Sequence, residues 1–190
     1  MTTNIKIAKV RPDAKIPSKR DEDMGFDIYA CFDEDYIVIE PHETKLIPTG
    51  IASACGSDYG FLVFERGSTG SKGIARRCGV IDSGYRNEWF IGLTNTTNKT
   101  LYISKITKED IIDRIYNADD MAQKWDGVFG SIFSVKNGLE NDVFVYPYEK
   151  AIAQVLVVPV PKTEVEETSY EELQNIKSER GLGALGSSGK

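Results

Sequence analysis

The chain has 190 residues, with 23 Lys and Arg against 29 Asp and Glu, for a formal net charge of −6. That length fits one domain, whose core buries roughly 70% of the unfolded surface without a disulfide or metal staple. At 41% hydrophobic and 27% charged residues global disorder is excluded, and an acidic balance with no long basic stripe argues against a nucleic-acid binder. Cys31, Cys55 and Cys78 are widely spaced and His42 is the only histidine, so a His/Cys metal site lacks ligands and His-based nucleophilic catalysis has a single available base. His42 reads as a solvated turn residue beside Pro41 and Glu43. Unpaired cysteines suit a reduced, cytoplasmic setting. No apolar run reaches the roughly 18 residues of a membrane span, and the first residues show no signal-peptide pattern.

Most of the chain reads as short strands. Residues 4–10 alternate, with Ile5 and Ile7 on one face. Runs 26–30, 36–40, 44–47, 60–65 and 88–94 are rich in β-branched and aromatic residues and are punctuated by Gly, Pro, Asn and Asp. Residues 106–125 differ. There Ile111, Ile112, Ile115, Ala118, Ala122 and Trp125 recur at helical spacing, and Thr107 with Asp110 resembles a capping box. Runs 128–135 and 143–146 then flank the turn signal Asn137-Gly138. The whole of 106–146 reads as a structural insertion, a helix plus a β-excursion, with a partner-binding or lid role as the alternative. Residues 151–158 are nearly all apolar up to Pro159 and read as a central, well-buried strand. Residues 163–175 are acidic, with Ser169 and Glu172 as a cap for a short helix. After Ser178 come Arg180, spaced glycines and two serines. A cation, flexible N–H donors and hydroxyls are what a phosphate-wrapping arm requires. Many short strands with few long helices indicate an all-β sandwich or barrel.

Four segments carry candidate chemistry. Met24-Gly25-Phe26-Asp27-Ile28-Tyr29-Ala30 joins a small-residue turn to a strand with one acid. Residues 65–73 form a Gly-rich loop offering Arg66, Ser68, Ser71 and Lys72, without P-loop spacing. Gly79-Val80-Ile81-Asp82-Ser83-Gly84-Tyr85-Arg86 gives an apolar strand end, an acid, a turn and an aromatic. The fourth is the tail. Together with Ala151-Ile152-Ala153-Gln154-Val155 these resemble, in order, the five motifs of the trimeric dUTPase family, and the segment containing Asp82 is the most specific match. The resemblance spans most of the chain except 106–146, which is longer than the family usually has.

The resemblance implies a jelly-roll-like β fold assembled as a homotrimer, with active sites at subunit interfaces. It implies a single β domain over 1–176 and a glycine-rich arm, 177–190, that closes a neighbouring site. The implied activity is Mg²⁺-dependent hydrolysis of dUTP to dUMP and pyrophosphate, which keeps uracil out of DNA and supplies dUMP for thymidylate synthesis. Residue by residue, Asp82 stands at the position of the general base for water attacking the α-phosphorus. Tyr85 matches the aromatic under the deoxyribose, where a 2′-hydroxyl finds no room. Arg66, Ser68 and Lys72 match the phosphate loop, Gln154 a donor to a phosphate oxygen, and Arg180 the bidentate grip on the γ-phosphate. Gly183 and Leu185 fall in the substrate-covering part of the arm. Asp27 matches an acid that acts through water on the Mg²⁺ shell.

The match has departures. Gly67 stands where the phosphate loop usually has a serine, with Ser68 one residue on as a replacement. Lys150-Ala151 stand where Asp-Arg is usual, and Leu185 replaces the phenylalanine that stacks on uracil. Leucine keeps apolar cover but loses a stacking contribution of about 1–3 kcal/mol. These departures imply a working enzyme with an altered lid. Two other functions stay open. A phage-type dUTPase could use the insertion to bind a protein partner. A dCTP deaminase shares the fold but needs a catalytic glutamate roughly where Gly92 stands.

Overall fold

The computed structural model describes residues 4–77, 79–118, 138–179 and 181. Two compact units make up the chain, Met1–Val160 and Pro161–Lys190.

The first unit is mostly strand, as expected. Its elements are β1 (Lys6–Lys9), β2 (Phe26–Ile28), β3 (Tyr36–Ile39), β4 (Thr44–Pro48), β5 (Ile51–Ala54) and β6 (Tyr59–Phe64), then α1 (Gly67–Gly70). They continue with β7 (Ile74–Arg77), β8 (Val80–Ile81), β9 (Phe90–Asn95), β10 (Thr100–Ser104), α2 (Lys108–Ala118), β11 (Val143–Pro147) and β12 (Ala153–Pro159). The strands form four small sheets, ordered β1-β5, β11-β10-β3, β2-β12-β6-β8 and β4-β9-β7. β12 is central, as its apolar run suggests, paired antiparallel with β2 on one side and β6 on the other. Its two faces differ, however: Ala153 and Val155 are buried while Gln154 is only half-buried. That alternation keeps a polar side chain off the core and presents it at the surface.

Between the sheets lies one core, which includes Ile28, Ile39, Ile47, Phe61, Trp89 and Ile91. Phe61 and Trp89 meet edge to face at 5.1 Å. Each such fully buried large side chain contributes about 1.5–3 kcal/mol.

β10 and β11 are parallel, unlike the other ladders. A parallel pair cannot be joined by a tight turn and needs a crossover. The chain between them contains α2, which starts as expected. Asp110 N donates to Thr107 Oγ1 at 3.1 Å, while Thr107 Oγ1 donates to Asp110 Oδ2 at 2.8 Å. Ile111 and Ile112 of α2 join Tyr102 and Val143 in a second apolar cluster, and Arg114 pairs with Asp35 at 2.7 Å. One side of α2 is therefore packed, while Glu109, Asp110, Asp113 and Arg114 are exposed. Gly138 opens a short helical stretch, 138–142, rather than continuing a hairpin. The expected helical residues beyond Ala118 and the run 128–135 lie outside the described residues.

His42 is exposed at φ 62°, with Nε2 3.1 Å from Asn98 Oδ1, as a turn residue should be. Cys31 is buried and Cys55 half-buried, and neither forms a disulfide. Burial pushes both thiols up, away from the reactive thiolate. Cys78 lies outside the described residues. Among the described residues no helix is long and apolar enough to cross a membrane.

In the second unit, α3 (Tyr170–Asn175) carries the expected cap. Glu172 N donates to Ser169 Oγ at 3.1 Å and Ser169 N donates to Glu172 Oε2 at 3.0 Å. Every residue of α3 is exposed within this chain, including Tyr170 and Leu173.

Candidate active site

Two clefts hold most of the residues singled out above. The first is built by strand register. Gln154 of β12 sits opposite Asp27 of β2 on one side and Phe64 of β6 on the other. Directly opposed residues share a face, so Asp27 and Gln154 project together. β6 then delivers Glu65 and Arg66 beside them. Arg66 is steadied by α1, where Arg66 N donates to Thr69 Oγ1 at 3.1 Å and Thr69 Oγ1 donates to Arg66 O at 2.9 Å. This buried Thr69 turns part of the Gly-rich loop into one helical turn, against the propensity of its glycines.

Arg66 grips Asp27 as a fork, with Nε 2.9 Å from Oδ1 and Nη2 3.2 Å from Oδ2. Its Nη1 donates to Ala151 O at 3.4 Å and reaches Ser68 Oγ at 3.5 Å. Ala151 O also accepts from the Tyr146 hydroxyl at 2.7 Å. Burial raises the Tyr146 phenol pKa, so this residue stays a donor. Gln154 Nε2 donates to Glu65 O at 2.8 Å. A Cβ on Gly25 would stand 3.1 Å from Gln154 Oε1, which is why a glycine suits the turn before β2. Asp27, Arg66, Ser68 and Gln154 line one cleft of about 800 Å³.

Sequence reasoning missed two cations of that cleft, Lys19 and Arg20. They precede the first motif, and only the bridge between Ser18 and Asp27 brings them to it. A cationic pair just ahead of an acid-bearing strand was the available signal.

The second cleft, of about 280 Å³, is lined by Leu46, Val80, Asp82, Tyr85 and Phe90, among others. Asp82 and Tyr85 flank a tight turn, in which Tyr85 N donates to Asp82 O at 3.1 Å. The Tyr85 hydroxyl donates to Glu88 O at 3.0 Å, fixing the ring. Asp82 is exposed. Arg86 holds the turn from outside, donating to the carbonyls of Ser53, Ser83 and Tyr85. Leu46, Val80, Tyr85 and Phe90 are exposed apolar side chains around Asp82.

Asp82 and Tyr85 thus line a different cleft of the chain from Asp27, Arg66, Ser68 and Gln154. Lys72 lines neither. It borders a third pocket with Lys99 and Phe144, its Nζ 5.9 Å from the Tyr146 ring centre. Arg180, Gly183 and Leu185 lie outside the described residues. Gly92 packs against β7, where an added Cβ would be 3.2 Å from Arg77 O. A glutamate there would require β7 to give way. Among the described residues no three His, Cys, Asp or Glu side chains stand together as a metal site.

An all-β chain with a forked arginine, a glutamine and a loop hydroxyl in one cleft, and an exposed carboxylate beside an aromatic in another, is equipped for a phosphorylated ligand. The dUTPase family model matches residues 13–108, and the chain belongs to the dUTPase family. It is 34% identical over 101 residues to the deoxyuridine 5′-triphosphate nucleotidohydrolase of Leptospira interrogans, covering 51% of this chain and 69% of the relative. It is 29% identical over 194 residues to that of Nautilia profundicola, covering 98% of this chain and 99% of the relative. Among solved structures, a mutant dUTPase of Staphylococcus bacteriophage 80alpha bound to dUpNHpp superposes with a TM-score of 0.66 at 20% identity, covering 100% of both chains. The EIAV dUTPase gives 0.55 at 17%, covering 88% of this chain and 98% of that one. These likenesses establish the jelly-roll-like fold. A further match, a mutant dUTPase from phage phi11 of S. aureus (TM-score 0.58, 17% identity, 88% of this chain and 99% of that one), is described with a structural Mg(II) ion.

Proposed function

We propose that this protein hydrolyses dUTP to dUMP and pyrophosphate, at a site made from the first cleft of one copy and the second cleft of another within a homotrimer. The observation that carries this reading is the division of the site residues. The phosphate-binding set and the carboxylate with its aromatic lie in separate clefts of one chain, and the exposed apolar rim of Leu46, Val80 and Phe90 around Asp82 needs a cover. A second copy supplies both the cover and the missing half.

In this site Asp82 takes the proton of the water that attacks the α-phosphorus. Arg66, Ser68 and Gln154 hold the phosphates. In the free chain Arg66 is held by Asp27 and Gln154 by the Glu65 carbonyl, so these donors are already aimed into the cleft and exchange one acceptor for another on binding. Tyr85 stacks under the deoxyribose. Lys72 contributes charge from the edge of the loop. Arg180, Gly183 and Leu185 belong to the arm of residues 177–190 that covers the bound nucleotide. Asp27 is the carboxylate assigned to Mg²⁺, through water, and one suffices because such an ion takes most of its oxygens from phosphates and solvent. Bound there, Mg²⁺ would offset phosphate charge.

Pyrophosphate release from dUTP, UTP, dTTP and dCTP tests the reading. The expected order puts dUTP first, with UTP slower in kcat/KM by about a hundredfold, the usual limit for excluding one added hydroxyl by fit. Equal rates on UTP would remove the role of Tyr85, and absence of pyrophosphate from dUTP would remove the function.

A further inference from the structure

The loop ahead of β2 carries a cation with no part in the chemistry above. Residues 18–25 fold back onto the cleft, with Asp27 N donating to Ser18 O at 2.9 Å. Lys19 is used up within this loop. Its Nζ donates to the carbonyls of Asp23, Arg20 and Asp21 at 2.8, 3.2 and 3.5 Å. Arg20 is different. Its Nε and Nη2 fork onto Asp23 at 2.9 and 2.8 Å, and Asp23 Oδ2 accepts Arg20 N at 3.1 Å as well. The guanidinium is therefore fixed in one orientation, yet the side chain is 88% exposed. The fork uses only one edge of the guanidinium, and Nη1 has no hydrogen-bond partner among the described residues. An anchored guanidinium with a free donor edge is well formed for a phosphate oxygen.

The charge balance of the cleft points the same way. Lys19, Arg20 and Arg66 face Glu22, Asp23 and Asp27 there, three cations against three carboxylates. Arg66 and Arg20 are each forked onto a carboxylate, but Arg66 Nη1 also contacts Ala151 O and Ser68 Oγ, so Arg20 Nη1 is the less committed donor for a polyanion. The Asp23 hydrogen bond and charge raise the Arg20 pKa. The Asp23 carboxyl is lowered to about 2, chiefly by the Arg20 hydrogen bond. A lowered carboxyl keeps its pair above the ordinary carboxylate range and loses it as pH falls through about 2, so the fork is intact at any working pH.

We propose that Arg20 is a further substrate-binding residue, which contacts the phosphate chain of the nucleoside triphosphate in the first cleft. The identity of the nucleotide rests on the dUTP reading above; the phosphate contact does not.

The test is steady-state kinetics on dUTP, with calorimetric binding of inorganic triphosphate, for the wild type, Arg20→Gln and Arg20→Lys. Arg20→Gln is expected to raise KM about tenfold, to weaken triphosphate binding by a similar factor, and to leave kcat within about twofold. Arg20→Lys, which keeps the charge but cannot fork onto Asp23, is expected to recover part of the affinity. Unchanged KM and triphosphate affinity in Arg20→Gln overturns the proposal. So does a fall in melting temperature in both variants with no rescue by lysine, which makes Arg20 a staple of its own loop. Arg20-dependent triphosphate binding in a protein that releases no pyrophosphate from dUTP would uphold this inference and defeat the proposed function.

Discussion

Asp82→Asn is expected to lower kcat on dUTP by about 10²–10⁴-fold, the usual contribution of a positioned general base. The substitution keeps shape and removes only the ability to take a proton. It has little structural cost, because the Asp82 side chain is exposed and the turn around it is held by main-chain and Arg86 contacts. The melting temperature should therefore stay put, within the roughly 0.5 kcal/mol typical of surface changes. KM should change little, since the carboxylate acts on water rather than on the nucleotide. Kinetics with a parallel thermal melt separates the two effects. Undiminished turnover would remove Asp82 as the base.

Arg66→Ala should be as damaging for a different reason. The Arg66 side chain is 29% exposed and its guanidinium forks onto Asp27, while also donating to Ala151 O. Losing two charge-assisted hydrogen bonds to phosphate, at about 1.5–3 kcal/mol each, corresponds to about 10²–10⁴-fold in kcat/KM. Unlike Asp82→Asn, this change also costs stability, by about 1–3 kcal/mol, because the Asp27 carboxylate is left unpaired in a partly buried place. Adding Asp27→Asn to Arg66→Ala should restore much of the stability and none of the activity. A double variant as unstable as the single one would mean that Arg66 stabilises through packing and Ala151 rather than through the fork.

Much of this was legible in the residues. The runs of β-branched and aromatic residues lie over β1–β4, β6, β9, β11 and β12, and both capping pairs, Thr107 with Asp110 and Ser169 with Glu172, formed. β10 (Thr100–Ser104) escaped although Leu101, Tyr102 and Ile103 carry an ordinary strand signal, while the rest was set by tertiary contact. β5 (Ile51–Ala54) is made of small residues with one large apolar side chain, and β7 (Ile74–Arg77) reads as charged. β7 is a strand because β9 lies alongside it, and Arg77 Nε finds Thr94 Oγ1 at 3.1 Å. α1 exists because buried Thr69 ties back to Arg66. The motifs named most of both clefts, but their order along the chain says nothing about which of them meet. The register of β2, β12 and β6 unites Asp27, Gln154 and Arg66, and the same fold carries Asp82 and Tyr85 to another cleft.

That separation makes complementation the most direct test. Arg66→Ala and Asp82→Asn subunits, each nearly inactive alone, are unfolded together in equal amounts, refolded and assayed for pyrophosphate release from dUTP. If each site takes Arg66 from one copy and Asp82 from a neighbour in a closed three-fold ring, every mixed trimer holds one intact site, and activity should return to roughly a quarter of wild type. If one chain builds the whole site, no intact site can form, and a mixture no more active than the two variants assayed separately would contradict the shared-site account.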